Sequence, residues 1–272
     1  MGRTQDIQAS TIYTYLNRIS DSLLHKTDSH EQLTYVYNCG TISVRFSGGD
    51  PMIHTLDDYI CHSIDPSDPF TTNPSLTKKV DHNGAFLPFV GNTVVYDLDD
   101  RVKAQLTALQ DELYAVASDV LSCRLDPSTF HMTLHDLVNG SAGEYGIRER
   151  MESITPVVRQ ILREWNNHAP IHMKSTWMFN MVNTSIVLGL KPADADSYSR
   201  LDAMYCKLDE VLTLGYPLCP HITLAYFRPG QYSPSQIEGL CGSLRAVELD
   251  IELKAENLKL QNFDHMNHYY SI

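Results

Sequence analysis

The sequence carries one four-residue pattern twice, as His131-Met132-Thr133-Leu134 and as His221-Ile222-Thr223-Leu224. The second copy begins 90 residues after the first, and each copy lies in a stretch that favours a β-strand. Successive side chains of a strand point to opposite faces, so the histidine and threonine of each copy share one face. The two apolar residues of each copy share the other face. The pattern therefore predicts two strands that are polar on one side and buried on the other.

The elements around the two copies repeat as well. Before the first copy, a strand is predicted over 93–96, followed by a helix that Asp99 or Asp100 can cap. Before the second copy, a strand is predicted over 185–190, followed by a helix with apolar positions from 201 to 212. Each copy is then followed by a helix, the first over 147–165 and the second beginning at the Ser233-Pro234-Ser235-Gln236 capping box. Further strands are predicted over 171–179 and within 247–260.

This repeated order predicts an α+β protein with two pseudo-symmetric lobes. Each lobe is expected to be an antiparallel-rich sheet with helices outside, and the duplicated strand-helix-strand-helix units surround a central cleft. Residues 1–77 do not join the repeat; they are predicted to hold an amphipathic helix over 12–23 and strands over 33–46 with a turn at Cys39-Gly40. We therefore divide the chain into an N-terminal extension of unknown role, 1–77, and a two-lobed domain, 78–272.

Composition restricts the class of ligand and the compartment. The chain is 43% hydrophobic and 20% charged with a formal net charge of −12, which is typical of a globular protein and argues against binding duplex DNA or long RNA through a basic face. No run approaches the ~20 apolar residues of a membrane span, and the N-terminal stretch lacks the apolar segment of a secretory signal. Six scattered cysteines without a CxxC pair indicate reduced thiols, so we expect a cytoplasmic protein.

The duplication also predicts the chemistry. If the two halves are related by an approximate two-fold axis, the two histidine-threonine pairs meet across one cleft. A phosphodiester suits this arrangement, because one neutral histidine can take a proton from the attacking oxygen while the other, protonated, gives one to the leaving oxygen. The threonine hydroxyls would hold the non-bridging oxygens as negative charge builds. We expect neither a metal ion nor a cofactor to be required.

These motifs resemble those of the 2H phosphoesterase superfamily, which includes the RNA 2′,3′-cyclic phosphodiesterases, also called 2′-5′ RNA ligases. The resemblance covers about residues 78–262, and the stretch 80–95 is similar to an uncharacterised bacterial and fungal branch that has no settled substrate. It implies metal-independent phosphodiester chemistry with His131 and His221 as acid and base and Thr133 and Thr223 as phosphate ligands. A cyclic phosphate, a short 2′-5′-linked nucleotide or an RNA-terminal nucleotide is the expected substrate.

Three further residues are weaker candidates for substrate binding. His135 is expected on the same strand face as His131, Tyr226 could stack on a base although its alternation points towards the core, and Arg228 could contact a phosphate. Two other functions stay open on the sequence. One is a nucleotide-binding or sensor module without turnover, and the other is a metallohydrolase that uses His131, His135 and His221.

Overall fold

The computed structural model describes residues 64, 65 and 67–272 in full, and the backbone of three strands before them: β1 (His25–Thr27), β2 (Gln32–Tyr37) and β3 (Gly40–Arg45). These three strands form an antiparallel sheet in the order β1-β2-β3. Except for Gln32, strands β2 and β3 lie within the region 33–46 that the sequence predicts to be strand-like. The predicted helix over 12–23 lies outside the described residues.

An antiparallel sheet of eight strands organises the rest of the described chain. Its order is β11-β7-β8-β9-β6-β5-β12-β13. The strands are β5 (Phe89–Asp97), β6 (His131–Ser141), β7 (Ile171–Met181), β8 (Ser185–Pro192), β9 (His221–Tyr226), β11 (Asp250–Leu253), β12 (Leu258–His265) and β13 (His268–Ser271). Two shorter strands, β4 (Phe70–Thr71) and β10 (Gln231–Tyr232), pair with each other.

Four helices lie along this chain at the places that the repeat predicts: α1 (Asp100–Ala117), α2 (Ile147–Trp165), α3 (Ala195–Asp209) and α4 (Pro234–Ser243). The Asp99 carboxylate accepts a hydrogen bond from the Val102 backbone N–H at 2.7 Å and so caps α1, as the sequence predicts. Before α4, the Ser233 backbone N–H donates to the Gln236 side chain at 3.0 Å, which confirms the capping box. No helix in the described part of the chain is long and apolar enough to cross a membrane.

The sheet consists of two four-stranded halves that meet where β6 lies beside β9. The register pairs these two strands at Met132 and Ile222, the central residues of the two motifs. The two halves are built alike. In each half the motif strand pairs with the strand that precedes it in the sequence, β5 beside β6 and β8 beside β9, and two more strands follow towards the edge, β12 and β13 in one half and β7 and β11 in the other. The two halves are therefore related by an approximate two-fold axis through the Met132–Ile222 pair, which confirms the predicted pseudo-symmetric α+β fold.

One face of the sheet packs against the helices and forms the core. Met132, Leu134, Ile222 and Leu224 are all fully buried there, so the predicted apolar face of both motifs is confirmed. Residues ahead of position 78 join the same core: Leu76 is buried, and the ring of Phe70 lies 4.8 Å from that of Phe227.

Both motif strands contain an extra residue at the same place. The register of β5 with β6 passes from Val95–Thr133 to Val94–His135 and so skips Leu134, while that of β8 with β9 passes from Val187–Thr223 to Ile186–Ala225 and skips Leu224. These are β-bulges, which place two consecutive residues on the core side and shift the alternation of every residue that follows. The internal repeat thus includes a β-bulge at the same position of both motif strands.

We expect Leu134→Ala and Leu224→Ala each to lower the free energy of unfolding by about 2–5 kcal/mol, because each removes a fully buried side chain and leaves a cavity. Urea titration followed by circular dichroism would measure the loss. Val157→Ala, on the exposed side of α2, serves as the control and should change stability by no more than about 0.5 kcal/mol. Losses below that limit in both leucine variants would contradict the assignment of the buried face.

Candidate active site

A cavity of about 510 Å³ opens on the sheet face opposite the core. The two histidines and two threonines of the motifs line it together, and all four are half-buried. In an antiparallel pair, the Met132–Ile222 register sets His131 beside Thr223 and Thr133 beside His221. The structure therefore brings both predicted pairs into one site.

Both histidines are held in the same way. The Nδ1 of His131 lies 2.7 Å from the carbonyl oxygen of Thr129, and the Nδ1 of His221 lies 2.8 Å from that of Cys219, so each ring bonds the backbone two residues earlier. A carbonyl oxygen only accepts, so Nδ1 carries the hydrogen in both rings. This assigns the tautomer and leaves each Nε2 available to take or to give a proton.

Burial favours the neutral form of both rings. Desolvation lowers the pKa of His131 to about 4, against the hydrogen bond to Thr129 and the negative charges of Asp97 and Asp136, which raise it. The nearby charge of His221 lowers the pKa of His131 further. Desolvation also lowers the pKa of His221. The pair is thus suited to hold one proton more easily than two.

The two threonines present unengaged hydroxyl groups to the cavity. Within residues 64–65 and 67–272, neither the Thr133 nor the Thr223 hydroxyl makes a hydrogen bond. A half-buried hydroxyl beside an imidazole can donate to an oxygen that enters the cavity. Four groups from two strands can therefore contact one tetrahedral phosphate.

Residues distant in sequence complete the wall of the cavity. The ring of Tyr269, on β13, lies edge-on to His131 with 4.8 Å between ring centroids. The hydroxyls of Tyr226 and Tyr269 donate to the sulfur of Met266 at 3.3 and 3.9 Å, so the turn between β12 and β13 is tied to the motif strand β9. No local sequence pattern predicts these contacts, because they depend on the packing of the β12–β13 hairpin beside β5.

Lys79 supplies a cation that sequence reasoning missed. Its side chain lines the cavity, and its Nζ lies 5.0 Å from the centroid of the Phe89 ring and 6.0 Å from that of Tyr226. Aromatic faces attract an ammonium group at such distances and hold it in position. Lys79 is thus placed to contribute positive charge to an anion in the cavity.

His135 does not lie on the face predicted for it. The bulge at Leu134 turns its side chain to the core side, where it is 1% exposed and its Nε2 lies 3.4 Å from an Asp209 carboxylate oxygen. The prediction that His135 shares the face of His131 is therefore wrong. The metal-ligand set of His131, His135 and His221 is not assembled either, because the strand separates His135 from the other two.

The same effect reverses the interpretation of the residues after each motif. The bulge returns Asp136 to the cavity face on β6 and returns Tyr226 to it on β9, and both side chains line the cavity. Tyr226 is thus a site residue and not a core residue as its alternation suggested. Asp136 lies two residues after the end of the first motif, and sequence reasoning missed it as a lining residue.

Arg228 is not a lining residue of the cavity. Its guanidinium Nη2 donates to the backbone carbonyls of Ser118 and Leu121, each at 3.4 Å. The prediction that Arg228 contacts a phosphate is wrong for this cavity, because its side chain supports the turn after α1.

Three potential metal ligands lie close together in the described part of the chain, at the turn between β12 and β13. One ligand atom from each of Asp264, His265 and His268 lies within 4.8 Å of the others. The Asn267 backbone N–H donates to Nδ1 of His265 at 3.1 Å, and the carboxylate of Asp264 accepts from Nδ1 of His268 at 2.9 Å. None of the three lines the cavity, so a cation here would stand apart from the two motifs.

Comparisons with known proteins identify a similar family and similar folds. The family model 2H-phosphodiest, described as a domain of unknown function (DUF1868), matches residues 79–181. No curated protein matches the chain in sequence. The conserved protein of unknown function ATU0111 from Agrobacterium tumefaciens is 18% identical with a TM-score of 0.56, and the match covers 75% of this chain and 93% of that one. This similarity shows a shared fold.

Two other solved structures are more distant. TT0787 of Thermus thermophilus is 17% identical with a TM-score of 0.46, over 66% of this chain and 94% of its own. LigT of E. coli in its apo form is 13% identical with a TM-score of 0.43, over 68% of this chain and 95% of its own. The family model covers the segment that contains the first motif, so residues 79–181 are similar to the 2H-phosphodiest family. The second motif lies beside the first in the same cavity.

Proposed function

We propose that the protein hydrolyses a phosphodiester, with His131 and His221 as general base and general acid and with Thr133 and Thr223 as ligands of the phosphate. The observation that carries this proposal is the matched pair of histidines. Each ring donates through Nδ1 to the carbonyl oxygen two residues earlier, and each shares its strand face with a threonine in one cavity. Two proton-transfer groups on either side of a phosphate are what an in-line displacement requires.

In the proposed hydrolysis, one histidine takes a proton from water and the other gives a proton to the leaving oxygen. The neutral histidine accepts a proton through Nε2 from a water molecule as the water oxygen forms a bond to phosphorus. The bond from phosphorus to the leaving oxygen breaks, and the second histidine, protonated at Nε2, gives its proton to that oxygen. The threonine hydroxyls hold the non-bridging oxygens while negative charge builds on them. The two histidines exchange protonation states during one turnover, and this scheme uses no metal ion or cofactor.

We infer that the substrate is a small nucleotide-like phosphodiester. A cavity of about 510 Å³ has the volume of a small-molecule site, and a net charge of −12 disfavours a long polyanion. A cyclic phosphate, a short 2′-5′-linked nucleotide or an RNA terminus satisfies both conditions. Lys79, held on two aromatic rings, adds positive charge for the phosphate.

One screen in the presence of EDTA tests this function. The panel comprises 2′,3′-cyclic nucleotides, 3′,5′-cyclic nucleotides, ADP-ribose cyclic phosphate and 2′-5′ oligoadenylate. Turnover of any of them supports hydrolysis, and the position of the product phosphate identifies the leaving oxygen. Tight binding of several without turnover would instead identify a nucleotide-binding module, and loss of turnover on chelation would contradict metal independence.

Replacing either histidine should remove one of the two proton transfers. We expect His131→Ala and His221→Ala each to lower kcat/KM by about 100- to 10,000-fold. The double variant should lose less than the product of the two single losses, because the residues act as a unit. Near-normal activity of His131→Ala beside a severe loss in His221→Ala would show that the first motif has only a structural role.

A p-nitrophenyl phosphodiester can then assign the two roles. Its leaving group needs no protonation, so this substrate should restore turnover only in the variant that lacks the acid. Thermal unfolding of each variant serves as the control for folding.

Replacing the threonines should affect the transition state more than the fold. We expect Thr133→Ala and Thr223→Ala each to lower kcat by about 10- to 1000-fold through the lost contact to a non-bridging oxygen. Thr133→Ser and Thr223→Ser keep the hydroxyl and are the matched controls, which should retain most of the activity. Wild-type rates in both alanine variants would exclude the threonines as phosphate ligands.

The burial of the histidines sets the pH dependence. The active free enzyme carries one neutral and one protonated imidazole, so kcat/KM is bell-shaped, with its maximum midway between two coupled pKa values. Burial lowers both pKa values below 6.5, so the maximum should lie below pH 6.5. Activity falls above it as the acid loses its proton and below it as the base gains one. A maximum above pH 7.5 at constant ionic strength would contradict this assignment.

A further inference from the structure

Asp136 is a feature of the cavity that phosphodiester chemistry does not require. We propose that Asp136 determines substrate specificity by accepting hydrogen bonds from the donor edge of a nucleobase. This inference rests on the proposed function, because it names the group that the substrate of that same cavity must carry. It assigns Asp136 to recognition and not to proton transfer.

The position of Asp136 follows from the duplicated bulge. Asp136 and Tyr226 occupy equivalent places, each two residues beyond the extra leucine of its strand, and both face the cavity. The histidines and threonines are the same in the two halves, whereas this position is a carboxylate in one and an aromatic ring in the other. The phosphate site is therefore symmetric, and its immediate surroundings are not.

Asp136 interacts electrostatically with several groups that line the cavity. Burial lowers the pKa values of His131 and His221 and the Asp136 charge opposes this, whereas burial raises the pKa values of Tyr226 and Tyr269 and the Asp136 charge adds to the rise. These four groups come from three strands, and they line the same cavity as the carboxylate. The carboxylate is thus within electrostatic range of both proton-transfer groups and of both tyrosines.

This carboxylate has no partner in the part of the chain that the structure describes in full, since no hydrogen bond or ion pair involves it there. An unpaired negative charge beside a phosphate repels it, and the partial burial of Asp136 strengthens that repulsion. A cavity with this group therefore favours a substrate that brings hydrogen-bond donors of its own. It disfavours one that brings acceptors, because like charges and unpaired acceptors oppose binding.

The neighbours of Asp136 identify the kind of donor. Tyr226 and Tyr269 line the same cavity as the carboxylate, and nucleobases stack on aromatic side chains. A base so stacked presents its Watson–Crick edge to polar side chains, and carboxylates accept from the amino groups on that edge. Guanine offers adjacent N–H and NH₂ donors that match the two carboxylate oxygens. Uracil offers one N–H between two carbonyl oxygens, which repel the carboxylate.

The test compares guanosine 2′,3′-cyclic phosphate with uridine 2′,3′-cyclic phosphate, which share one reacting group. We expect the wild-type protein to favour the guanosine substrate in kcat/KM by about 10- to 100-fold, the discrimination typical of a bidentate contact. Asp136→Asn should bring the ratio to about one or invert it, because the carboxamide NH₂ can donate to a uracil oxygen. A merely structural role would change both substrates equally and leave the ratio intact, and that result would overturn the proposal.

Asp202→Asn is the matched control. It removes a half-buried carboxylate on α3 that does not line the cavity, so it should leave the ratio unchanged. Calorimetric binding of guanosine 3′-monophosphate and uridine 3′-monophosphate separates the two proposals. If the wild-type protein hydrolyses neither cyclic phosphate, the proposed hydrolysis of these substrates is wrong. Tighter binding of the guanosine monophosphate that Asp136→Asn abolishes would still support the role of Asp136 in recognition. Equal affinities of the wild-type protein for the two monophosphates would overturn it.

Discussion

The backbone pairing of Met132 with Ile222 is the contact on which the rest of the structure depends. It joins two four-stranded half-sheets into one, and it fixes which side chains of the two motifs meet. A shift of one residue in this register would exchange the polar and apolar faces of a motif strand and place histidine in the core. The four fully buried apolar residues of the motifs oppose such a shift. The packing of the apolar motif residues in the core therefore also fixes the positions of the polar motif residues in the site.

The polar side of the same pairing holds both histidine rings in a fixed orientation. The backbone carbonyls of Thr129 and Cys219 occupy one nitrogen of each imidazole, so the rings cannot rotate without losing a hydrogen bond. The other nitrogen of each ring is left for chemistry. Burial keeps both rings mostly neutral and brings them under each other's influence.

The sequence could predict the repeated order of strands and helices, the caps of α1 and α4, and the faces of the residues within each motif. Those features depend on local periodicity and capping, which are visible in one chain. It could not predict the bulges after Leu134 and Leu224, since nothing in Leu134-His135 or Leu224-Ala225 marks an extra residue. The wrong face was therefore expected for His135 and Tyr226, and Asp136 was missed. Contacts of Lys79 and Tyr269 were missed because tertiary folding alone brings them to the site.

The place of Tyr269 has a consequence for motion. It lies on β13, an edge strand that pairs with β12 alone, and edge elements open locally at a lower free energy than the centre of a sheet. Its ring nevertheless packs against His131, whose strand lies in the middle of the same sheet. One wall of the site is thus carried by an edge strand, while the two histidines are carried by strands at the centre of the sheet. Brief detachment of β13 alone would admit solvent and ligands to His131 and leave the core residues of β12 in place.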